Sequence, residues 1–188
     1  MLSLPHVAPL AAYAARLRSR PGAAVPDFDP LDGGIDARIL FLLEKPGPTA
    51  APSRPGRKGS GFISRDNDNA TAAAIHRFMH EAGLPRVDTV IWNLIPWWNG
   101  TICITAAERL AGVHELRNLL TLLPRLHTAV LVGQTAAQGR PLLNKLRLLE
   151  SAHPSPQVRA GYRTLWDAIP GVWKQAGLTE NLDIPAPQ

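Results

Sequence analysis

The chain has 188 residues, 45% of them hydrophobic, and 20 Lys and Arg against 15 Asp and Glu give it a formal charge of +5. That length fits one domain, residues 1–188, able to bury a real core. The single cysteine, Cys103, excludes an internal disulfide and a four-cysteine iron–sulfur cluster. No apolar run reaches the roughly 18–20 residues needed to cross a bilayer, and no basic stretch precedes an apolar block at the N-terminus, so a cytoplasmic protein is expected.

A helix is expected from about Ala8 to Arg18. The first strand follows at Arg38–Leu43 (RILFLL), an uninterrupted apolar run of the kind buried on both faces of a parallel sheet. The loop Pro46–Arg65 is rich in Pro, Gly and Ser and too long for a plain connector, which marks it as functional or disordered. Asn69 can cap a helix that runs to Glu81 and ends at Gly83 and Pro85. A second strand spans Val87–Trp92. Thr105 and Glu108 have capping-box spacing and open a Leu-rich helix that ends before Pro124. The third strand is Thr128–Val132, with a helix expected over Gln134–Asn144 and a fourth strand over Arg147–Ser151. A helix over Gln157–Ala168, continued at Val172–Ala176 after Pro170, precedes a tail expected to be loose from residue 180. Strands alternating with helices predict a three-layer α/β/α sandwich around a parallel sheet of about four strands. In such folds ligands bind at the C-terminal edge of the strands.

Several chemistries are excluded by missing motifs. There is no GxxxxGK[ST] phosphate loop, no GxGxxG after the first strand and no GxSxG nucleophile elbow. His76 and His80 are spaced i, i+4 on one helix but lack the Glu of HExxH and a third ligand, so no metal site is expected. The positive charge suits a polyanionic partner, and equally a solvated basic face.

Five segments fall at the predicted functional edge. They are Leu43-Glu44-Lys45-Pro46-Gly47-Pro48, Ser60-Gly61-Phe62-Ile63-Ser64, Ile91-Trp92-Asn93-Leu94-Ile95-Pro96, Val132-Gly133-Gln134, and Ser151-Ala152-His153-Pro154-Ser155-Pro156. In this order they resemble the uracil-DNA glycosylase superfamily across roughly Ile39–Tyr162. The His-Pro-Ser-Pro run at 153–156 is the sharpest match. The turn after the first strand resembles the family's catalytic turn, written GQDPYH, GEAPG or GMNPGP in different branches.

The resemblance implies a fold, an activity and a set of roles. The expected activity is hydrolysis of an N-glycosidic bond in DNA, releasing uracil or a related damaged base that has been flipped out of the stack. Asn93 would read the base edge, its amide supplying both a donor and an acceptor. Phe62 would stack on the base. His153 would stabilise the departing anion. Ser155, Gln157, Arg159, Arg57 and Lys58 would contact DNA, with Arg163 a further phosphate candidate. Gln157 stands where one branch places a wedging leucine. Trp97 and Trp98 would line the pocket or stack on single-stranded DNA, and Trp92 would be core.

The catalytic turn departs from the family. Lys45 stands where branches carry Asp, Asn or Ala, and Glu44 precedes it. Three readings stay open: Glu44 orients water while Lys45 meets phosphate or base; Lys45 attacks the sugar C1′ to form a Schiff base; or the two form a pair without catalytic role. Asp66 and Asp68 are alternative carboxylates, Asp68 also a cap for the following helix. No cofactor is implied, and a monomer acting on DNA is expected. A non-catalytic binder of damaged or single-stranded DNA on the same fold is the first rival reading. A nucleotide or nucleoside hydrolase is the second.

Overall fold

The computed structural model describes residues 1–20, 22, 24–51 and 59–178. Arg57, Lys58 and the tail from residue 180 lie outside the described residues. In chain order the elements are α1 (Ala8–Leu17), β1 (Asp27–Phe28), β2 (Ile39–Leu43), β3 (Phe62–Ile63), α2 (Ala70–Glu81), β4 (Thr89–Asn93), α3 (Ala106–Leu120), β5 (Thr128–Val132), β6 (Arg147–Ser151), α4 (Pro156–Gly161) and α5 (Arg163–Ala176).

Four strands form the central sheet, all parallel, in the order β4-β2-β5-β6. Every residue of β2, β4 and β5 is buried, as continuous apolar runs demand when helices cover both faces. β6 sits at the edge and is only partly covered. A second, two-stranded parallel pair joins β1 to β3. Its strands are too short to carry a periodic signal in sequence.

Residue alternation along β2 decides which helices pack where. Phe41 faces α2 and α5: its ring meets Trp173 edge-on at 4.8 Å, and Phe78 meets Trp173 at 5.9 Å and Trp166 at 5.0 Å. Leu42 and its register partner Trp92 face the opposite way. There Trp92 stacks on Phe28 at 3.6 Å and takes the edge of Tyr13 from α1 at 6.2 Å. Trp92 is thus core, as expected.

Two helix expectations are corrected. Residues 134–144 do not form an α-helix; a 3-10 stretch spans Ala136–Leu142. Pro141 cannot donate an i→i−4 bond there. A Cβ on Gly139 would lie 2.8 Å from Leu116 and 3.0 Å from Leu42, so this stretch packs tightly between α3 and the sheet. The last helix breaks at Tyr162 (φ −139°, ψ 60°), not at Pro170, which lies inside α5. The break re-aims the chain so that Trp166, Ile169 and Trp173 share one face, spaced i, i+3, i+7, and are buried. The second strand begins at Thr89, two residues later than expected, because Arg86–Asp88 form a 3-10 turn.

Candidate active site

The alternation that sorts the helices also sorts the strand-end side chains onto two sides. Leu43 and Lys45 from the end of β2, with Ile91 and Asn93 from β4, open on the α2 side. Glu44, between them in sequence, opens on the other side with Leu131 and Gly133. The main chain is fixed at this edge: Leu94 N–H donates to Leu43 C=O at 2.8 Å and Ile95 N–H to Glu44 C=O at 2.9 Å.

On the α2 side lies a cavity of about 210 Å³, below the roughly 300–1,000 Å³ of drug-sized pockets and suited to one small heterocycle. Ile63, Ile75, Ile91 and Ala72 supply apolar walls; Thr49, Ser64, Asn67, Asn69 and Thr71 supply neutral polar groups. Asn93 lies in it at 4% exposure, and among the described residues its side-chain amide has no hydrogen-bond partner. Its amide atoms are not among the buried polar atoms left without a partner, so they open on the cavity, where a water or a ligand can pair with them.

His153 borders this cavity and also a second one of about 790 Å³ on the Glu44 side. Burial pushes its imidazole below the usual range, and the Glu44 charge opposes that shift. The ring is therefore neutral at pH 7 and has one N–H to donate. The Ser155 N–H donates to the His153 carbonyl at 2.8 Å, a tight turn across Pro154.

A family model described as the uracil DNA glycosylase superfamily matches residues 30–173. The chain belongs to that superfamily. No curated protein matches the chain.

Within the superfamily's frame the structure brings Asn93, His153 and Lys45 around one cavity. Glu44 is not part of that lining. Its Oε1 accepts the Thr135 N–H at 3.1 Å, and Gly133 backs it so closely that a Cβ would sit 2.7 Å from the same oxygen. Gly133 also has φ +91°, which only glycine adopts freely. Glu44 thus borders the second cavity with His153 and does not line the first.

Lys45 borders the first cavity but directs its ammonium away from it. Nζ donates to Asn99 Oδ1 at 2.9 Å, to the Cys103 carbonyl at 3.1 Å and to Glu108 Oε1 at 2.8 Å. Those contacts use all three N–H bonds of an ammonium, and the side chain is 4% exposed. Glu108 is shared further: Trp97 Nε1 reaches it at 3.3 Å, and its other oxygen closes the capping box on the Thr105 N–H at 3.0 Å. Burial works against the Glu108 carboxylate, yet Lys45, the Thr105 backbone and Trp97 hold it down to about 2.

Other expected site residues are placed differently. Phe62 is not in the base-sized cavity; it borders a neighbouring pocket with Asp29 and Leu31, while the next residue, Ile63, faces the cavity. Consecutive strand residues point to opposite sides, and β3 pairs with β1 in a register that turns Ile63 inward. Trp97 and Trp98 are packed at 7% and 8% exposure and offer no free face for stacking. Ser155 is the N-cap of α4, its Oγ accepting the Val158 N–H at 3.3 Å. Gln157 and Arg159 are exposed beside it. Arg163 pairs with Asp167 at 2.8 Å. Asp66 binds Arg86 at 2.7 Å, and Asp68 is exposed while Asn69 caps α2.

Sequence reasoning missed Thr49, Asn67 and Ile63 as cavity residues. The signal was the polar run Ser64–Thr71 directly after the glycine turn, of which only Ser64, the carboxylates Asp66 and Asp68 and the Asn69 cap were singled out. Asn67 Nδ2 donates to the Phe62 carbonyl at 2.9 Å and Asn69 Nδ2 to Thr49 Oγ1 at 3.2 Å, so these amides stitch the long loop to the mouth of the cavity.

Proposed function

We propose that this superfamily member is a DNA glycosylase that draws uracil or a related damaged base into the cavity beside Asn93 and hydrolyses its N-glycosidic bond. The observation that carries the reading is the Asn93 amide, buried at 4% exposure, facing the cavity and without a hydrogen-bond partner among the described residues. An amide of that kind can donate to one edge atom of a pyrimidine and accept from the next. Ile63 and Ile91 offer the flat base an apolar lining. The neutral His153 donates its N–H to a base oxygen. As the C1′–N bond breaks, its electron pair moves onto the base, and that hydrogen bond stabilises the departing anion. Water adds through oxygen to C1′, and its released proton balances the charge on the freed base. A preorganised donor of this type is worth about 3–4 kcal/mol. Glu44 acts on the imidazole through its charge, and Lys45 holds the catalytic turn in place.

The reading is tested by base release from oligonucleotides carrying uracil, hypoxanthine or xanthine, single- and double-stranded, with and without borohydride. Release without a trapped adduct is the expected result. A borohydride-stable adduct would instead make Lys45 the nucleophile. One observation favours a second reading: among the described residues lining the cavity there is no carboxylate to activate water. DNA binding without release of any base would support that reading, a non-catalytic sensor of damaged or single-stranded DNA.

A further inference from the structure

The face of α2 that turns away from the base cavity carries a second feature. Ala70, Ala73, Ala74 and Arg77, spaced i, i+3, i+4, i+7, line a groove of about 420 Å³ against Pro156 and Arg159 of α4. Trp166 floors it at 5% exposure. The Arg77 guanidinium carbon lies 5.8 Å from the centre of that ring and Arg159's lies 5.9 Å from it. Arg77 also sits 4.6 Å from the Phe78 ring. Stacking on aromatic faces orients a guanidinium while leaving its N–H edge open.

Both arginines keep donors for a ligand. Among the described residues no carboxylate pairs with Arg159, and Arg77 has only Glu81 at 3.3 Å, an exposed i, i+4 contact of small worth. Two positive groups gathered over one ring repel each other unless an anion joins them. The three alanines leave the wall low enough for a sugar–phosphate chain to lie against it. The groove and the cavity are lined by neighbouring residues of the same two segments: Pro156 closes the segment that His153 opens, and Ala70 follows Asn69, which lines the cavity.

We propose that this groove is a backbone-binding site for the DNA strand that carries the flipped nucleotide, with Arg77 and Arg159 clasping a phosphodiester. This rests on the glycosylase-type reading of the neighbouring cavity. The two sites use opposite faces of α2, and a helix about 10–12 Å across between them would put the clasped phosphate about two or three nucleotides from the target base. The contact is blind to sequence and sets register along the strand.

The test is the salt dependence of binding by the full chain to a uracil-bearing oligonucleotide. The variants are Arg77→Gln/Arg159→Gln and the charge-keeping Arg77→Lys/Arg159→Lys. The Gln pair should bind on the order of tenfold more weakly at low salt, and its log–log salt slope should fall by about 0.7–0.9 for each phosphate that the protein no longer neutralises. The Lys pair should retain most of the slope. Neutral methylphosphonate linkages two or three nucleotides from the uracil should weaken the wild type to the level of the Gln pair and leave the Gln pair unchanged. If the Gln pair fails to fold by circular dichroism, Arg159→Gln alone carries the test, since that residue is exposed. An unchanged slope in the Gln variants overturns the proposal, as does relief of binding by inorganic phosphate with no effect of the neutral linkages. A reduced slope in a protein that releases no base upholds the groove and overturns the hydrolytic reading alone. No DNA binding by the wild type overturns both.

Discussion

Lys45 and Glu108 meet at 2.8 Å, an ion pair that ties the turn after the first sheet strand to the first turn of α3. Glu108 is held at about 2, below the ordinary carboxylate value. Its contribution is therefore full above the unfolded value of about 4.3 and disappears as pH falls from there through about 2. Lys45 is buried and Glu108 partly solvated, so the expected size is that of a charge-assisted hydrogen bond, about 1.5–3 kcal/mol. Urea unfolding of the wild type and Glu108→Gln should differ by that amount at pH 7 and converge near pH 2. Lys45→Met should destabilise at neutral pH by a similar or larger amount, because it leaves Glu108 unpaired.

Gly133→Ala tests the wall behind Glu44. The residue has φ +91°, and the new methyl would stand 2.7 Å from Glu44 Oε1. The backbone strain alone costs about 1–3 kcal/mol. The carboxylate must also swing away, releasing the Thr135 N–H. The expected result is a lower melting temperature together with a changed His153 titration, since the charge facing the ring has moved. A shift in stability with an unaltered His153 titration would show that Glu44 does not act on the imidazole.

His153 itself gives a pH prediction. Burial lowers its pKa and Glu44 raises it. Its NMR titration midpoint should lie below about 6.5, and Glu44→Gln should lower it further. In the window between the folded midpoint and about 6.5 the unfolded chain binds more protons, so stability rises with pH there and is lost on acidification. Base release should stay level from neutral pH down to the folded midpoint and change only below it. His153→Ala should reduce release by about 10²–10³-fold.

The four strands and their parallel sheet were largely legible because burial on both faces leaves an uninterrupted apolar run, as in Ile39–Leu43. The capping box at Thr105 and the Asn69 cap were legible because their chemistry is local. What escaped the sequence depends on partners distant in the chain. Phe62 and Ile63 are equally apolar, and only the pairing of β3 with β1 decides which faces the cavity. In sequence the role of Lys45 stays open among three readings, because its partners Asn99, Cys103 and Glu108 lie more than fifty residues on. The break at Tyr162 has no Pro to mark it, whereas Pro170, the obvious breaker, is absorbed within α5.

Arg65 illustrates a residue whose role only the fold reveals. It is 6% exposed, donates to Thr89 Oγ1 at 2.6 Å and pairs with Asp32 at 3.2 Å. Arg86 joins the cluster through Asp32 at 3.0 Å, Asp66 at 2.7 Å and Asp29. Burial raises the Asp32 carboxyl to about 7, against the pull of Arg65 and Arg86. Arg65→Met removes one partner of a buried pair and should cost about 3 kcal/mol in urea unfolding at pH 7. Asp32 should then bind its proton more tightly still, so the deficit should shrink toward pH 5, where the carboxyl is neutral in both proteins.

The sharpest separation between a structural and a functional asparagine comes from Asn93→Leu. A structural amide at 4% exposure would be hydrogen-bonded, and its loss would destabilise the fold by about 1–3 kcal/mol. Asn93 has no side-chain partner among the described residues, and it sits beside the apolar Leu43 and Ile91. Its amide opens on the cavity and supports no other side chain, so replacing it with leucine, close in volume, should change stability by less than about 1 kcal/mol. The same change should abolish discrimination among bases while leaving the salt-dependent part of DNA affinity intact, because the proposed phosphate groove lies elsewhere. A loss of stability without a loss of base recognition would show that Asn93 serves the fold and that the cavity reads its ligand by other groups.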